Sequence, residues 1–180
     1  DIENFFSDEK FDIIFLSNVI EHLNNWKQYT KYLNNFLADG GIIILLLPNY
    51  NFPIEIHFMI PIIYNKNITY KFFKKKIIEF EKKHQRNGLW DSLNFIKPKD
   101  ILDHYLKQDH EVTFKKNYFQ NLLARLIVNS QHHQNHYKKN FINRFLILIS
   151  IFLSSIGFVK LYKYMPLFFH PFIKVIIKKK

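Results

Sequence analysis

The chain has 180 residues, enough to bury one ordinary hydrophobic core, so we expect one domain. It contains no Cys, which excludes disulfides and thiolate metal sites. Its net charge of +11 is unevenly divided, because residues 112–180 hold 12 basic residues and no acidic one. This asymmetry indicates an anionic partner, either a membrane surface or a nucleic acid, or else a compositional bias of the source.

Residues 11–50 have the pattern of strand, helix, glycine turn and strand. The run Phe11–Leu16 is apolar after Asp12, which is typical of a parallel strand buried on both faces. A helix is predicted next, and Gly40-Gly41 is expected to end it. The apolar stripe of that helix is formed by Trp26, Tyr29, Leu33 and Phe36. The run Ile42–Leu47 is then predicted to be a second buried strand.

Two buried strands joined by a helix form a right-handed βαβ unit. Ligands of such sheets bind at the carboxyl ends of the strands. The segments at these ends are Ser17–His22 and Pro48–Tyr50. We therefore expect the functional residues of this chain to lie there.

A long insertion and two more elements are predicted after this unit. Residues 51–97 exceed a simple connection and are expected to form a lid over an acceptor. Within them, a helix is predicted over Thr69–Lys83 with Thr69 as its N-cap and an apolar face. A further helix should begin at Pro98, and its buried face is predicted to comprise Ile101, Leu102, Tyr105 and Leu106. Residues 111–114 are predicted to be a short strand.

The part beyond residue 116 is basic and apolar. A helix is predicted over Tyr118–Val128, and His132, His133 and His136 are expected in a polar loop. The run Phe145–Val159 carries no charge but is short for a bilayer span. Either an interfacial helix or a buried helical hairpin fits it. A last strand is predicted over Phe172–Ile177.

The motif FDxIxxxxVxEHL, followed by GG and an apolar strand ending in PN, resembles the fourth and fifth strands of class I S-adenosylmethionine-dependent methyltransferases. The resemblance implies an α/β fold: the C-terminal portion of a Rossmann-like sheet, strands four to seven, with a helical insertion. In that topology residues 111–114 form an edge strand, and the last strand is antiparallel and inserted between the fifth and sixth. The domains would be a partial methyltransferase domain, 1–116, and a basic apolar region, 117–180.

The same resemblance implies where the cofactor binds. S-adenosylmethionine would be contacted by Asp1 and Ile2, in the segment before the fourth strand, and by Ser17 and Asn18 at its end. The glycine-rich loop and the ribose-binding acidic residue of the family would lie upstream of Asp1. On this interpretation the chain holds about half of a cofactor site and is inactive alone.

Candidate catalytic residues follow both strands. Methyl transfer to a hydroxyl requires an oriented acceptor and a group that removes its proton. His22 is the predicted base, Glu21 would orient it or bind the acceptor, and His57 follows the fifth strand. The structural alternative is that Glu21 favours the N-terminus of the helix and His22 fills a polar pocket.

We predict no resident metal. Ubiquinone-type and small-RNA O-methyltransferases hold a divalent ion with an ExxEH motif, but Asn18 replaces its first Glu here. If an ion binds, the candidates are Glu21, His22 and His57, a ligand set that suits several divalent metals.

The segment Pro48–Phe58 resembles methyltransferases of cell-surface polysaccharide and lipid-linked glycan pathways. We therefore expect a small-molecule or glycan acceptor and a cytoplasmic protein that contacts the inner face of an anionic membrane through 140–180. The alternatives are a non-catalytic remnant that binds a partner and an RNA methyltransferase. The uncharged run in the tail disfavours a nucleic-acid surface, and the oligomeric state is left open.

Overall fold

The structure is a computed structural model, and it describes residues 8–116, 118, 152, 155, 157 and 161–179. The backbone forms two compact units. The first comprises Asp1–Lys115 and Pro171–Lys180, and the second comprises Lys116–His170. The domain boundary at residues 116/117 stays a prediction. The first unit draws on both ends of the chain.

The part of the chain that the structure describes contains both strands and helices. The strands are β1 Phe11–Ser17, β2 Leu37–Pro48, β3 Ile54–Glu55, β4 Ile60–Pro61, β5 His110–Lys115 and β6 Phe172–Lys179. The helices are α1 Trp26–Leu33, α2 Lys66–His84, α3 Leu89–Ser92 and α4 Pro98–Leu106. Short 3-10 helices cover Ile20–His22, Asn34–Phe36, Tyr162–Tyr164 and Leu167–Phe169.

The predicted βαβ unit is present. β1 and β2 run parallel, with Ser17 opposite Leu46 at their carboxyl ends. α1 connects them and buries Trp26 and Leu33, and Phe36 is buried in the turn that follows. The apolar spacing therefore predicted Trp26 and Leu33 on the buried face of α1 correctly, whereas Tyr29 is only half-buried.

The glycine pair does not end α1, so that expectation is wrong. The helix ends at Leu33, and a 3-10 turn leads directly into β2. Gly40 has a φ of 73° and lies where the pairing of β2 with β1 is irregular. A Cβ on Gly41 would lie 2.9 Å from the carbonyl oxygen of Ala38. This irregular start of β2 favours both glycines, Gly40 because of its left-handed backbone and Gly41 because a side chain would crowd the backbone.

The four-stranded sheet has the order β1-β2-β6-β5. β6 runs antiparallel to both neighbours and pairs along most of β2. This confirms the predicted last strand, its direction and its insertion between the fifth and sixth strands of the family topology. β5 is the predicted edge strand, and it extends one residue further at each end than expected.

The insertion has a small core of its own. α2 begins at Lys66, and Asn65 is its N-cap, since its Oδ1 accepts the backbone N–H of Ile68 at 2.9 Å. Thr69 is instead buried in the first turn, where its hydroxyl binds the backbone of Ile63. The prediction of Thr69 as the cap is therefore wrong. The apolar face of α2 packs on α3 and on the segment that precedes α2. This small core includes Phe58, Ile60, Tyr70, Phe73, Ile77, Phe80, Trp90 and Leu93.

α4 begins at Pro98, as predicted. Asp100 Oδ2 accepts the backbone N–H of the residue before the helix at 2.8 Å. Ile101 and Tyr105 are fully buried, but Leu106 is mostly exposed, so its predicted burial is wrong. Ile101 and Tyr105 lie one turn apart and define the inward face, and Leu106 falls at its margin.

β1 is not buried on both faces, in contrast to the expectation. Ile13 and Phe15 are 59% and 58% exposed. Within the described residues β1 is the last strand of the sheet, and these two side chains lie on the same face of it. An apolar run alone could not reveal this, because burial depends on neighbours.

Several predictions lie outside the described residues. They concern Asp1 and Ile2, the helix over 118–128 apart from its first residue, His132, His133 and His136, and most of the apolar run 145–159. Within the described part of the chain, no helix combines the length and the apolar character needed to cross a bilayer.

Candidate active site

The candidate site lies at the carboxyl ends of β1 and β2. The 3-10 turn Ile20–His22 follows β1 and carries two side chains of the candidate site, Glu21 and His22. The chain after β2 forms the β3–β4 pair, which carries Glu55 and brings His57 to the same sheet edge. Because β1 and β2 are parallel, their ends meet there.

Three predicted side chains meet at this edge. Glu21, His22 and His57 each offer one ligand atom, and these atoms all lie within 4.8 Å of one another. The two imidazole rings are 5.7 Å apart between centroids and inclined by 72°. We call these three side chains the acceptor cluster. The sequence predicted its members, and the structure brings them together.

The contact of His22 with Ser92 fixes its tautomer. Ser92 Oγ donates its proton to the carbonyl oxygen of Leu89 at 2.8 Å. It can therefore only accept from His22 Nδ1, which lies 2.9 Å away. His22 carries its proton on Nδ1, and its Nε2 keeps a free lone pair.

Glu55 fixes His57 in the same way. His57 Nδ1–H donates to Glu55 Oε1 at 2.7 Å, and Glu55 Oε2 accepts the backbone N–H of Phe58 at 2.8 Å. Glu55 is fully buried, so this contact is shielded from water. His57 Nε2 is therefore also left with a lone pair.

Glu21 is a buried carboxyl without a partner. It is 0% exposed, and neither of its carboxyl oxygens has a hydrogen-bond partner. Burial raises the pKa of Glu21 to about 7, although its own backbone amide and His57 oppose this rise. Near neutral pH the group is therefore divided between a carboxyl and a carboxylate.

His22 remains neutral under the same conditions. Burial, followed by the nearby His57, lowers the pKa of His22, and the charge of Glu55 opposes this only in part. Its Nε2 lone pair is therefore available at neutral pH. The cluster offers acceptor atoms from three side chains, and its two fixed Nδ1–H groups are already used.

Sequence reasoning missed Ser92 at the site and gave Tyr50 no role, although it placed Tyr50 in the segment expected to hold functional residues. Ser92 is 70 positions from His22, and no local pattern links the two. The Tyr50 hydroxyl is buried without a hydrogen bond of ordinary geometry, and its ring stacks on Phe95 at 4.3 Å between centroids. Burial, with the charges of Glu55 and Glu21, raises the pKa of Tyr50. Its position directly after Pro48-Asn49 was the available signal.

Residues 1–45 match the family model described as Methyltransferase domain. Over these residues the chain is similar to that methyltransferase family. The matched residues include β1, α1 and most of β2, and with them Glu21 and His22 of the acceptor cluster.

Known relatives align with a larger part of this chain. The uncharacterized proteins Rv1509 and MT1557 of two Mycobacterium tuberculosis strains are 34% identical to it over 94 residues, 52% of this chain and 32% of theirs. The mitochondrial ubiquinone biosynthesis O-methyltransferase of Dictyostelium discoideum is 29% identical over 126 residues, 68% of this chain and 34% of its own. The aligned region thus corresponds to about a third of each relative's length.

Solved methyltransferase structures are more distant. The plantazolicin methyltransferase BpumL, in complex with a monoazolic desmethylPZN analog and SAH, has a TM-score of 0.46 and 9% identity, covering 100% of this chain and 56% of its own. Coclaurine N-methyltransferase has a TM-score of 0.40 and 11% identity, covering 99% and 51%. These values are too low for any inference about the site.

Two of the predicted cofactor-binding residues are described. Ser17 is the last residue of β1, and Asn18 follows with a φ of 52° and donates its backbone N–H to Leu46 at 2.8 Å. Both side chains are exposed. They are therefore accessible to a ligand at the carboxyl end of β1, and their role in cofactor binding stays a prediction.

The acceptor cluster also fits a divalent ion. An ion requires ligand atoms that converge and are not committed elsewhere. One ligand atom of each of Glu21, His22 and His57 lies within 4.8 Å of the others, and the carboxyl of Glu21 is unpartnered. Glu55 and Ser92 hold the rings from behind, as outer partners of metal-bound histidines do.

Proposed function

We propose that the protein containing this chain transfers a methyl group from S-adenosylmethionine to a hydroxyl of a small-molecule, glycan or lipid-linked acceptor. The observation that carries this proposal is the convergence of Glu21, His22 and His57 at the sheet edge where ligands of α/β folds bind. The methyltransferase match over residues 1–45 supports the reaction type. The name of the aligned O-methyltransferase supports oxygen as the methylated atom.

A hydroxyl suits the cluster because the cluster lacks donors. The free Nε2 atoms of His22 and His57 accept hydrogen bonds, and so does Glu21 once it is ionised. A hydroxyl group of the methyl acceptor can donate a hydrogen bond to one of these acceptor atoms. A vicinal pair of hydroxyls would satisfy two of the three.

The proton-accepting role fits His57 best. The sequence assigned that role to His22, but His57 has the buried Glu55 carboxyl behind its Nδ1. Such a carboxylate stabilises the imidazolium that forms when Nε2 takes a proton. His22 then receives a second hydrogen bond from the acceptor and orients it. S-adenosylmethionine, when bound, supplies an electrophilic methyl group, with Ser17 and Asn18 as proposed contacts beside the undescribed Asp1 and Ile2.

A second candidate role for the cluster is to hold a divalent ion. The unpartnered buried carboxyl of Glu21 favours it, because an ion would compensate that group. Glu21, His22 and His57 would be the protein ligands. A bound ion would lower the pKa of an acceptor hydroxyl beside it.

The membrane association predicted for residues 140–180 is retained as a proposal for 140–170 only. Residues 172–179 form β6, which lies between two other strands. A truncation before Asn140 would therefore remove a central strand and unfold the sheet. A peripheral position on the cytoplasmic face of a membrane would agree with a lipid-linked acceptor.

The test uses the full-length protein that contains this chain. We expect it to bind S-adenosylmethionine in calorimetry and to transfer a labelled methyl group to the small-molecule or lipid extract of its source cells. Absence of cofactor binding would leave the non-catalytic remnant as the conclusion. Label in RNA instead of the extract would overturn the proposed acceptor class.

A further inference from the structure

The outward face of α2 is basic and partly apolar. α2 contains seven Lys, two Glu and no Arg. Its inward face packs in the small core of the insertion, so the opposite face points to solvent. That face forms a shallow groove lined by Lys71, Phe72, Lys74, Lys75, Ile78, Glu79 and Lys82. We call these seven residues the α2 surface.

Two large apolar side chains of the α2 surface are exposed. Phe72 is 70% exposed and Ile78 is 47% exposed. Lys71, Lys75 and Lys82 are separated by one to three helical turns, so they lie on the same side of α2. Phe72 and Ile78 line the same groove as these lysines. The surface thus combines three net positive charges with apolar groups over about 16 Å of helix.

We propose that the α2 surface docks the protein on an anionic lipid bilayer. Lysine ammonium groups are attracted to anionic headgroups, and the exposed Phe72 and Ile78 can enter the headgroup region between them. The partner is identified by charge complementarity: a negative surface opposite four lysines and one glutamate. This surface differs from residues 140–170.

A bilayer explains the surface better than a nucleic acid does. Nucleic-acid sites favour Arg, whose planar fork matches phosphates and bases, and α2 has none. Phe72 could stack on a base, but Ile78 could not. Both can contact acyl chains.

This inference does not rest on methyl transfer. It concerns the solvent face of the insertion, whereas the acceptor cluster lies at the sheet edge. Failure of one proposal therefore leaves the other unaffected.

The experiment is sedimentation of the full-length protein with vesicles of phosphatidylcholine alone or with phosphatidylglycerol added. Three net charges predict that the α2 surface strengthens binding to the anionic vesicles on the order of a hundredfold at low salt. The test variant replaces Lys71, Lys74, Lys75 and Lys82 by Gln. The matched control replaces four other exposed lysines by Gln, namely Lys31, Lys107, Lys115 and Lys178. These substitutions remove the same charge as those of the test variant.

We expect the test variant to lose most of this binding and the control to retain it. A Phe72→Ser/Ile78→Ser variant should bind several-fold more weakly, because it keeps the charge and loses the apolar contact. Thermal unfolding confirms that each variant is folded.

Equal binding by the test and control variants would overturn the proposal, since net charge or another region would then be responsible. Equal binding to neutral vesicles would also overturn it. If RNA binds the protein more tightly than the anionic vesicles do, and the test variant alone loses RNA binding, the surface serves nucleic acid and the lipid proposal is wrong.

Discussion

Replacing Glu21 by Gln should stabilise the protein at high pH and much less at low pH. The carboxyl is fully buried without a hydrogen bond, and its pKa rises from 4.5 to about 7 on folding. A group with a raised native pKa contributes its stability below the unfolded-state value of 4.5 and loses it as pH rises through about 7. At about 1.4 kcal/mol per pH unit, ionisation lowers the free energy of unfolding by about 3 kcal/mol.

The assay is urea unfolding of wild type and Glu21→Gln at pH 5 and pH 8, with a chelator present to remove divalent ions. The variant should gain up to about 3 kcal/mol over wild type between the two conditions. Glu79→Gln is the matched control, because Glu79 is exposed on α2 and the substitution removes the same carboxyl group. A Glu21→Gln effect that is equal at pH 5 and pH 8 would refute the reasoning.

Three further predictions follow from particular contacts. At a concentration of a hundred times the Kd of the ion, Mn²⁺ or Zn²⁺ should stabilise the wild-type protein by about 3 kcal/mol, as measured by thermal unfolding. The stability of His57→Gln should not change, because this variant lacks one ligand. The absence of a shift in the wild-type protein would contradict ion binding. Ser92→Ala should move the proton of His22 away from Nδ1, which nitrogen NMR can show, and should lower the free energy of unfolding by about 1 kcal/mol, which urea unfolding can show. An unchanged tautomer of His22 would contradict the role of the Ser92 contact. Ile43→Ala should cost about 2–5 kcal/mol in urea unfolding, because the Ile43 side chain is fully buried in β2, and a negligible cost would mean that Ile43 does not pack in the core.

The sheet could be predicted because its signals are local or come from the resemblance. The apolar runs at β1 and β2 and the stripe on α1 each appear within a short window of sequence. β6 was identified as a strand from its composition, and its antiparallel place beside β2 came from the family topology. The packing of Ile13 and Phe15 could not be read from their own segment, because it depends on what lies beside β1.

Local signals also failed where two residues compete for one role. Asn65 and Thr69 are both good N-cap residues, and the choice between them depends on the tertiary contact of Thr69 with Ile63. The glycine pair has the composition of a helix stop, but the structure needs it for a kink in β2.

The site was only partly predictable. Glu21 and His22 follow a strand directly, so their place at the sheet edge follows from topology. The convergence of His57 with them depends on the path of the insertion. The contact of Ser92 with His22 joins positions that share no sequence pattern.

The most direct test of the proposed site is single-turnover methyl transfer by the full-length protein, measured together with its affinity for S-adenosylmethionine. We expect His57→Gln to slow transfer by about 10²–10⁴-fold while the cofactor Kd stays unchanged. The matched control is His84→Gln, an exposed residue on α2 that should have no effect. An unchanged transfer rate in His57→Gln would contradict the acceptor cluster as the site of the reaction.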